Sequence, residues 1–273
     1  MNNADYHAHP ALSASGLKMI KRSPLHYWSR YLDPDRVAVP PTEAMQLGTV
    51  THCAVLEPEE FDLRYIAVPE GIDKRTKEGK QVWADLLASG REPHKAATIE
   101  RVKAIAAAVH ANPLAADLMA GSEREASVFD DMGLFKIRPD IMHMPCDRWH
   151  NGMIVDLKTT TNAGPDEWSR KVVSLDMMIQ AAFYRHIFYH KFGAASLPEF
   201  RWIVVETESP HAVAVYQPSA DYMSAAIDEM GDLITLYMQC RYKKYWPSYS
   251  DKVETVEMPN WLKKSAEIEV SYL

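Results

Sequence analysis

Hydrophobic and polar residues alternate along residues 152–159, and this alternation predicts a β-strand. Asp156 and Lys158 fall on one face of that strand, whereas Leu157 falls on the other. A second apolar run at residues 137–142 precedes it, and the segment between the two runs is rich in turn-forming residues. The pattern therefore predicts a hairpin that carries two charged side chains on one face.

Apolar residues at three- and four-residue spacing predict helices on both sides of this hairpin. The predicted helices cover residues 13–20, 25–32, 42–57, 73–91, 95–111, 114–119, 165–172, 176–192 and 219–237. Short apolar runs predict further strands at residues 66–68, 123–129, 134–140, 201–206 and 212–216. Three of the strands, at residues 123–129, 134–140 and 152–159, are expected to be consecutive and antiparallel. Residues 1–11 are polar, and we expect them to be loosely held.

Composition narrows the class of protein. Of the 273 residues, 47% are hydrophobic, which is enough for a sizeable core, and the formal net charge is −7. This charge argues against a broadly basic coat for nucleic acid, although DNA contacts confined to one groove are compatible with it. The three cysteines have no zinc-site or disulfide spacing, so we expect a cytoplasmic protein. No stretch has the length and apolar character of a membrane span or signal peptide.

The hairpin also carries candidate chemistry. Asp140 lies in its first part, and Asp156 and Lys158 share one face of its second strand. Two carboxylates and one ammonium group suit a Mg²⁺ ion together with a substrate phosphate, which is what hydrolysis of a phosphodiester requires. The alternative is an exposed hairpin with an Asp–Lys pair, which contributes little to stability.

Two other segments have open interpretations. His52 follows Gly48 by one turn on a predicted helix, where the glycine is expected to permit a close approach. A single histidine on a helix is more often an ordinary core or surface group than a ligand. Residues 240–246 mix cations with aromatics, which suits contact with nucleic acid but fits a surface segment with a buried Trp246 equally well.

Six short motifs follow one another in a defined order. They are Leu12-Ser13-Ala14-Ser15-Gly16-Leu17, Gly48-x-x-x-His52, Glu125 in a strand, Arg138-Pro139-Asp140, Asp156-Leu157-Lys158 and Gln180-x-x-x-Tyr184. This series resembles the RecB-type branch of the PD-(D/E)xK nuclease superfamily. Within that branch, the runs GTVTHCAVLEPEEFD, RPDI and VDLKTT are most similar to the nuclease domain of RecE, also called exonuclease VIII, and its prophage relatives. The resemblance covers residues 6–246.

The resemblance implies a restriction-endonuclease-like core of the α/β (α+β) class, with a central mixed sheet flanked by helices. It implies a single exonuclease domain over residues 1–273 with a helical insertion at residues 73–120. A tail at residues 247–273 is expected to dock on the body or on a neighbouring subunit. Full RecE proteins carry a long additional N-terminal region, so this sequence is expected to be a stand-alone nuclease core.

The resemblance also implies a metal site. Asp140 and Asp156 match the metal carboxylates, His52 matches a metal-ligating histidine, and the main-chain carbonyl of Leu157 matches a further ligand. The expected cofactor is Mg²⁺, as two ions bridged by Asp156. Because imidazole suits Mn²⁺, we expect activity with Mn²⁺ as well.

The remaining roles concern water and DNA. Lys158 matches the residue that orients or deprotonates the attacking water, and its pKa is expected to fall beside the metal ions. Glu125 matches a strand glutamate that joins the metal site or holds its water. Gln180 and Tyr184 match a pair that contacts DNA near the scissile phosphate.

The implied function is a Mg²⁺-dependent exodeoxyribonuclease that degrades linear double-stranded DNA from 5′ to 3′ in phage or prophage recombination. The implied partners are double-stranded DNA ends, a single-strand annealing protein and further copies of the chain in a ring-like tetramer. One alternative is a related nuclease of other polarity or substrate, including single-stranded DNA, or an endonuclease. Another is a catalytically silent DNA-binding module, against which the intact set of Asp140, Asp156 and Lys158 argues.

Overall fold

The structure is a computed structural model, and it describes residues 1, 3–37, 39–73 and 75–258. Of the expected C-terminal tail, residues 247–258 belong to this part of the chain, and Pro247 accepts a hydrogen bond from the backbone N–H of Leu25 at 2.9 Å. Trp261 and Leu262, for which docking was expected, lie outside the described residues.

Helices make up most of the secondary structure. In chain order they are α1 (Asn3–Ala8), α2 (Ala14–Arg22), α3 (Pro24–Tyr27), α4 (Glu43–Leu56), α5 (Pro58–Arg64), α6 (Lys77–Ala88), α7 (Ala96–Ala111), α8 (Pro113–Met119), α9 (Pro165–Ser174), α10 (Met177–Phe192) and α11 (Ala220–Lys243). A π-helical turn at Trp28–Leu32 continues α3. In the part of the chain that is described, no helix combines the length and apolar character needed to cross a bilayer.

The strands are short except for two. They are β1 (Tyr65–Val68), β2 (Glu92–Lys95), β3 (Glu123–Arg124), β4 (Val128–Phe129), β5 (Lys136–Ile137), β6 (Ile141–His143), β7 (Met153–Thr160), β8 (Glu199–Glu206) and β9 (Val213–Tyr216). Five of them form one sheet in the order β3-β6-β7-β8-β9. Because β7 and β8 run parallel and the other pairs are antiparallel, the predicted mixed sheet is confirmed.

Helices cover both faces of this sheet, and the alternation along β7 explains why. Ile154 belongs to one buried cluster, with residues of α2, α10 and α11. Val155 and Leu157 point the other way, into a second cluster with residues of α4 and α7. Burial of apolar side chains on both faces is the main stabilising contribution to such a layered fold.

Local signals place the helix starts as predicted. The Ser13 hydroxyl accepts a hydrogen bond from the backbone N–H of Gly16 at 3.2 Å, and the Thr42 hydroxyl does the same for Met45 at 3.2 Å. Each hydroxyl satisfies a backbone donor that has no partner within its helix. The predicted helix at residues 165–172 is α9, which buries Trp168, and α11 extends six residues beyond the predicted end at residue 237.

The segment at residues 73–120 contains one element that the pattern did not predict. β2 pairs in parallel with β1 in a separate two-stranded sheet. Its sequence, Glu-Pro-His-Lys, has no apolar alternation, so only the partner strand reveals it. Within the same segment, α7 packs against α4 and buries Val102 and Ile105 in the core.

The prediction of three long antiparallel strands at residues 123–129, 134–140 and 152–159 is wrong. β3 pairs with β6, whereas β4 and β5 form a separate two-stranded sheet. Glu125 interrupts the first predicted strand, since its backbone is left-handed with φ of 50°. Pro139 interrupts the second, because proline has no N–H for a strand ladder.

The expectation that residues 1–11 are loosely held is also wrong. Tyr6 of α1 is buried, and the Lys136 ammonium group donates hydrogen bonds to the carbonyls of Tyr6 and His9, the latter at 2.7 Å. Leu12 adds a backbone bridge to the strand region, since its carbonyl accepts from the N–H of Lys136 at 2.9 Å. A buried lysine thus ties the polar N-terminal segment to the body.

Candidate active site

The polar face of the β6–β7 hairpin brings Asp140, Asp156 and Lys158 together. Asp140 precedes β6, and its Oδ2 accepts a hydrogen bond from the backbone N–H of Leu157 at 2.6 Å. Lys158 forms an ion pair with Oδ2 of Asp156. Both carboxylates are buried, with 8% of Asp140 and 2% of Asp156 exposed. Buried carboxylates need partners, and here the hairpin backbone and Lys158 supply them.

Helix α4 brings His52 to this hairpin. The His52 Nδ1 atom lies 3.4 Å from Oδ1 of Asp140. The glycine one turn earlier, Gly48, faces β7, and a Cβ there would lie 3.8 Å from the hydroxyl oxygen of Thr159. This is an ordinary contact distance, so the packing of α4 on β7 does not require glycine at this position.

Glu125 reaches the same place from a turn rather than from the expected strand. It lies between β3 and β4, where its backbone N–H donates to the carbonyl of Asp140 at 3.2 Å. Its carboxylate accepts a hydrogen bond from Nε of Arg138 at 2.7 Å. The left-handed turn therefore directs the Glu125 side chain toward Asp140.

His52, Glu125 and Asp140 can together hold a metal ion. One ligand atom from each residue lies within 4.8 Å of the others. Two carboxylates and an imidazole form an oxygen-rich donor set, which fits a divalent cation such as Mg²⁺ or Mn²⁺. Asp156 lies beside this group, and its Oδ2 lacks a well-directed hydrogen bond although Lys158 is close to it.

Gln180 and Tyr184 lie on α10 and face the hairpin. The Gln180 side-chain amide donates a hydrogen bond to Oδ1 of Asp156 at 2.8 Å. The Tyr184 hydroxyl donates to the carbonyl of Arg138 at 3.3 Å, and the ring is buried. In this structure the two residues therefore support the Asp156 carboxylate and the segment that leads into Asp140.

Asp140 and His52 shift each other's pKa. Burial acts to raise the pKa of Asp140, but the His52 imidazole and the Lys158 charge outweigh it and lower the pKa. Burial acts to lower the pKa of His52, yet the Asp140 carboxylate raises it overall. Each residue therefore favours the charged form of the other.

In the pair of Asp156 and Lys158, the pKa values of both residues are raised. Burial raises the pKa of Asp156, and the nearby Asp140 charge adds to this. Burial acts to lower the pKa of Lys158, but the carboxylates of Asp156 and Asp140 raise it above its ordinary value. These carboxylates therefore hold Lys158 as an ammonium ion. The fall in its pKa that we expect beside metal ions stays a prediction.

Two residues near the hairpin received no role from the sequence. The Lys18 ammonium group donates to the carbonyl of Leu175 at 2.9 Å, and burial together with the Lys158 charge lowers its pKa to about 8. Arg138 bonds Glu125 and also donates to the Ser127 hydroxyl at 2.6 Å. Lys18 directly follows the Leu12–Leu17 motif, and Arg138 is the first residue of the Arg138-Pro139-Asp140 motif, so their positions beside and within these motifs are the signal for them.

A solved structure of low sequence identity agrees with this architecture. A crystal structure of a candidate exonuclease from Eubacterium rectale shares 14% sequence identity, covers 95% of this chain and 96% of its own, and superposes with a TM-score of 0.62. A phage-related exonuclease from Haemophilus somnus shares 12% identity over 86% of this chain and 96% of its own, with a TM-score of 0.36. At such identities the first likeness shows the fold alone.

Comparison of sequences gives the family. No curated protein matches the chain. Residues 13–259 match the family described as a PDDEXK-like domain of unknown function, DUF3799. That match includes the hairpin, α4, Glu125 and α10, and it confirms the predicted PD-(D/E)xK assignment. The chain therefore belongs to the family of the PDDEXK-like domain DUF3799.

Proposed function

We propose that the protein is a divalent-metal-dependent deoxyribonuclease that hydrolyses phosphodiester bonds. The observation that carries this proposal is the convergence of Asp140, Asp156 and Lys158 with His52 and Glu125 at one end of the β6–β7 hairpin. These residue types are the ones that metal-assisted phosphodiester hydrolysis uses, and they stand on a fold of the PD-(D/E)xK class.

His52, Glu125, Asp140 and Asp156 would hold the metal, with the main-chain carbonyl of Leu157 as a further ligand. When bound, a divalent ion neutralises phosphate charge and polarises the scissile bond. We propose Mg²⁺ as the cofactor and Mn²⁺ as an effective substitute, because Mn²⁺ accepts an imidazole ligand such as His52 more readily than Mg²⁺ does and also suits carboxylates.

The chain itself orients the charged groups before substrate arrives. The Leu157 N–H holds one oxygen of Asp140, and the Gln180 amide holds one oxygen of Asp156. Lys158 is protonated beside them, since the carboxylates raise its pKa. Its ammonium group can donate to a phosphoryl oxygen and stabilise the charge that develops during hydrolysis, which is most effective when the donor is already in place.

We further propose that the substrate is the end of linear double-stranded DNA and that degradation runs from 5′ to 3′ in phage or prophage recombination. The support is the three runs GTVTHCAVLEPEEFD, RPDI and VDLKTT, which resemble the RecE-type nuclease domain within the RecB-type branch. The same resemblance supports a single domain over residues 1–273, a ring-like tetramer, a single-strand annealing partner and a cytoplasmic location. Direct contact of Gln180 and Tyr184 with DNA belongs to this proposal as well.

Digestion of end-labelled DNA tests the function. The full chain is incubated with linear duplex labelled at the 5′ or the 3′ end, with Mg²⁺ or with EDTA. The expected result is early release of the 5′ label, only with Mg²⁺. Early release of the 3′ label would reverse the polarity, and cleavage of closed circular DNA would indicate an endonuclease. If the chain bound DNA but cleaved it under none of these conditions, it would be a catalytically silent DNA-binding module.

A substitution tests the metal site directly. His52→Ala removes one of the three grouped ligands, so Mn²⁺ affinity is expected to fall at least about tenfold. Calorimetric titration with Mn²⁺ measures this without any turnover, and thermal melting in EDTA controls for folding. If the variant bound Mn²⁺ as tightly as the parent, His52 would be an ordinary partner of Asp140 and not a ligand.

A further inference from the structure

Helix α2, the π-helical turn after α3 and helix α11 belong to one group of neighbouring helical segments and carry exposed cations. These cations are Arg22 at the end of α2, Arg30 in the π-helical turn, and Arg241, Lys243 and Lys244 at the end of α11. All five are exposed. Across the described ranges, none of them forms an ion pair with a carboxylate, although the chain has a net charge of −7.

The neighbouring lysine shows that carboxylates are available on this side of the molecule. Lys21 precedes Arg22 and pairs with Asp176 and Glu229, at 2.7 Å in each case. The C-terminal ends of helices attract cations, and this effect accounts for part of the arrangement. It does not account for the exposed aromatic rings that stand among the cations.

Four tyrosines accompany the five cations. Tyr242, Tyr245 and Tyr249 are 89%, 64% and 70% exposed, and Tyr31 is 37% exposed. Large aromatic rings are stabilised when they leave water, and three of these exposed rings lie on one short stretch of chain, at residues 242–249, which marks an interaction surface. We call the four tyrosines and the five cations the aromatic-basic surface.

The surface rests on a packed aromatic base. The Tyr27 ring is buried, and its centroid lies 5.1 Å from that of Tyr31 and 5.3 Å from that of Trp246. Tyr249 lies against His26, with ring centroids 5.4 Å apart, and its hydroxyl accepts from Nε of Arg22 at 3.4 Å. The base holds both Tyr31 and Tyr249 in place before a partner binds.

We propose that the aromatic-basic surface binds single-stranded DNA. Unpaired cations complement a phosphate backbone, and exposed rings offer stacking faces for bases. Bases present their faces only when they are unpaired, so the tyrosines favour a single strand over a duplex. The proposal deepens the nuclease function proposed above and rests on it for the source of the single strand, since digestion of one strand of a duplex leaves the other unpaired.

Helix α2 links this surface to the active site. The pKa of Lys18 is lowered by burial and by the nearby Lys158 charge. Lys18 lies one turn before Arg22 on the same helix. A helix rises about 1.5 Å per residue, so the two positions are separated by roughly 6 Å along its axis. A single strand bound at Arg22 would therefore lie close to Lys18, which lies near Lys158 of the candidate active site.

Fluorescence anisotropy tests the proposal without catalysis. The full chain in EDTA is titrated into fluorescein-labelled oligo(dT) longer than about 16 nucleotides. Tyr242→Ala and Tyr245→Ala are each expected to weaken binding by about tenfold, because each removes one stacking face. Tyr222→Ala is the matched control, since Tyr222 is an exposed tyrosine at the other end of α11 and should leave the affinity unchanged.

A charge variant gives an independent readout. Lys243→Gln combined with Lys244→Gln is expected to reduce the slope of log affinity against log salt by about 1.4, or 0.7 per phosphate contact. Lys77→Gln combined with Lys80→Gln in α6 is the control, because it makes the same change in net charge at exposed positions elsewhere. An equal change of slope in both double variants would overturn the proposal.

Sedimentation and digestion separate the remaining outcomes. If the tyrosine variants left oligo(dT) binding intact but dissociated an oligomer of the parent, the surface would join copies of the chain and the proposal would fail. If oligo(dT) binding depends on the tyrosines, the single-strand proposal is supported. If the parent then cleaves no DNA, only the proposed nuclease function fails. If the tyrosine variants cleave DNA and bind oligo(dT) as well as the parent does, the single-strand proposal fails and the nuclease function stands.

Discussion

Lys136 and Lys158 both lie on strands, but the groups around their ammonium ions differ in charge. Lys136 of β5 donates to two backbone carbonyls and lies 4.6 Å from the centroid of the Tyr6 ring. Burial lowers its pKa. Lys158 of β7 forms an ion pair with Asp156, and the carboxylates raise its pKa despite burial.

The difference separates a lysine that supports the fold from the one that we propose takes part in cleavage. The carbonyls around Lys136 carry no charge, and through them this lysine secures the N-terminal segment. The carboxylates around Lys158 are also candidate metal ligands, and 24% of the Lys158 side chain is exposed. A cation balanced by carboxylates at an opening can be redirected toward an incoming phosphate, whereas one enclosed by carbonyls cannot.

Removal of the partner of Lys158 should have the largest effect. Asp156→Asn keeps the shape of the side chain but removes the charge, so cleavage with Mg²⁺ is expected to fall at least about 10³-fold. Because burial raises the pKa of Asp156, its charge is unfavourable in the fold, and the melting temperature in EDTA should hold or rise. Full activity in single-turnover digestion would remove Asp156 from the site.

Substitution of Lys158 itself comes next. Lys158→Arg and Lys158→Ala should bind metal and duplex DNA about as well as the parent but cleave roughly 10²-fold more slowly or worse. The guanidinium group is planar and bulkier, so it does not occupy the position of a compact ammonium ion. Single-turnover rates on pre-bound DNA measure the effect. Cleavage by Lys158→Arg at the parent rate would reduce Lys158 to a general electrostatic contact.

Substitution of Lys136 should instead affect stability. Lys136→Met leaves the carbonyls of Tyr6 and His9 without their donor, which is expected to lower the free energy of unfolding by about 2–3 kcal/mol. The cleavage rate per folded molecule should not change. Lys191→Met is the control, since Lys191 forms only a surface pair with Asp131 and should cost less than about 1 kcal/mol. Urea unfolding measures both, and equal losses would contradict the comparison.

The smallest effect concerns the pH dependence that Lys18 contributes. Its pKa is lowered to about 8 in the fold, against about 10.4 when unfolded. Between these values the folded chain binds fewer protons, so the stability of the parent should rise with pH relative to Lys18→Met. Allowing for partial exposure, the gain is about 1 kcal/mol. Urea unfolding in EDTA near both ends of this window measures it, and a constant difference between the two proteins would contradict it.

Short-range rules determined much of this fold from the sequence alone. The alternation along β7, the caps at Ser13 and Thr42 and the burial of Trp168 follow from neighbours a few residues apart. Helix α10 is apolar on every side over most of its length, and nine of its sixteen residues are buried. Such features depend on backbone periodicity and local hydrogen bonds, which the sequence specifies directly.

Long-range contacts decided where the predicted strands break. Residues 123–129 have the composition of one strand, but the N–H of Glu125 pairs with the carbonyl of Asp140, and the chain turns there. β2 forms only because β1 lies beside it. No local pattern contains this information, since the free energy comes from a partner that is distant in the sequence.

The arrangement of the candidate site also comes partly from the sequence and partly from tertiary packing. The sequence alone determined that two carboxylates and a lysine share the polar face of one hairpin, because residue type and strand period are sufficient for that. Tertiary packing alone decided that His52 reaches Asp140, that Gln180 holds Asp156 and that Lys136 bonds the N-terminal carbonyls. The physical reason is that a side chain finds its partner through the docking of whole helices and segments against the sheet, which depends on the complete core.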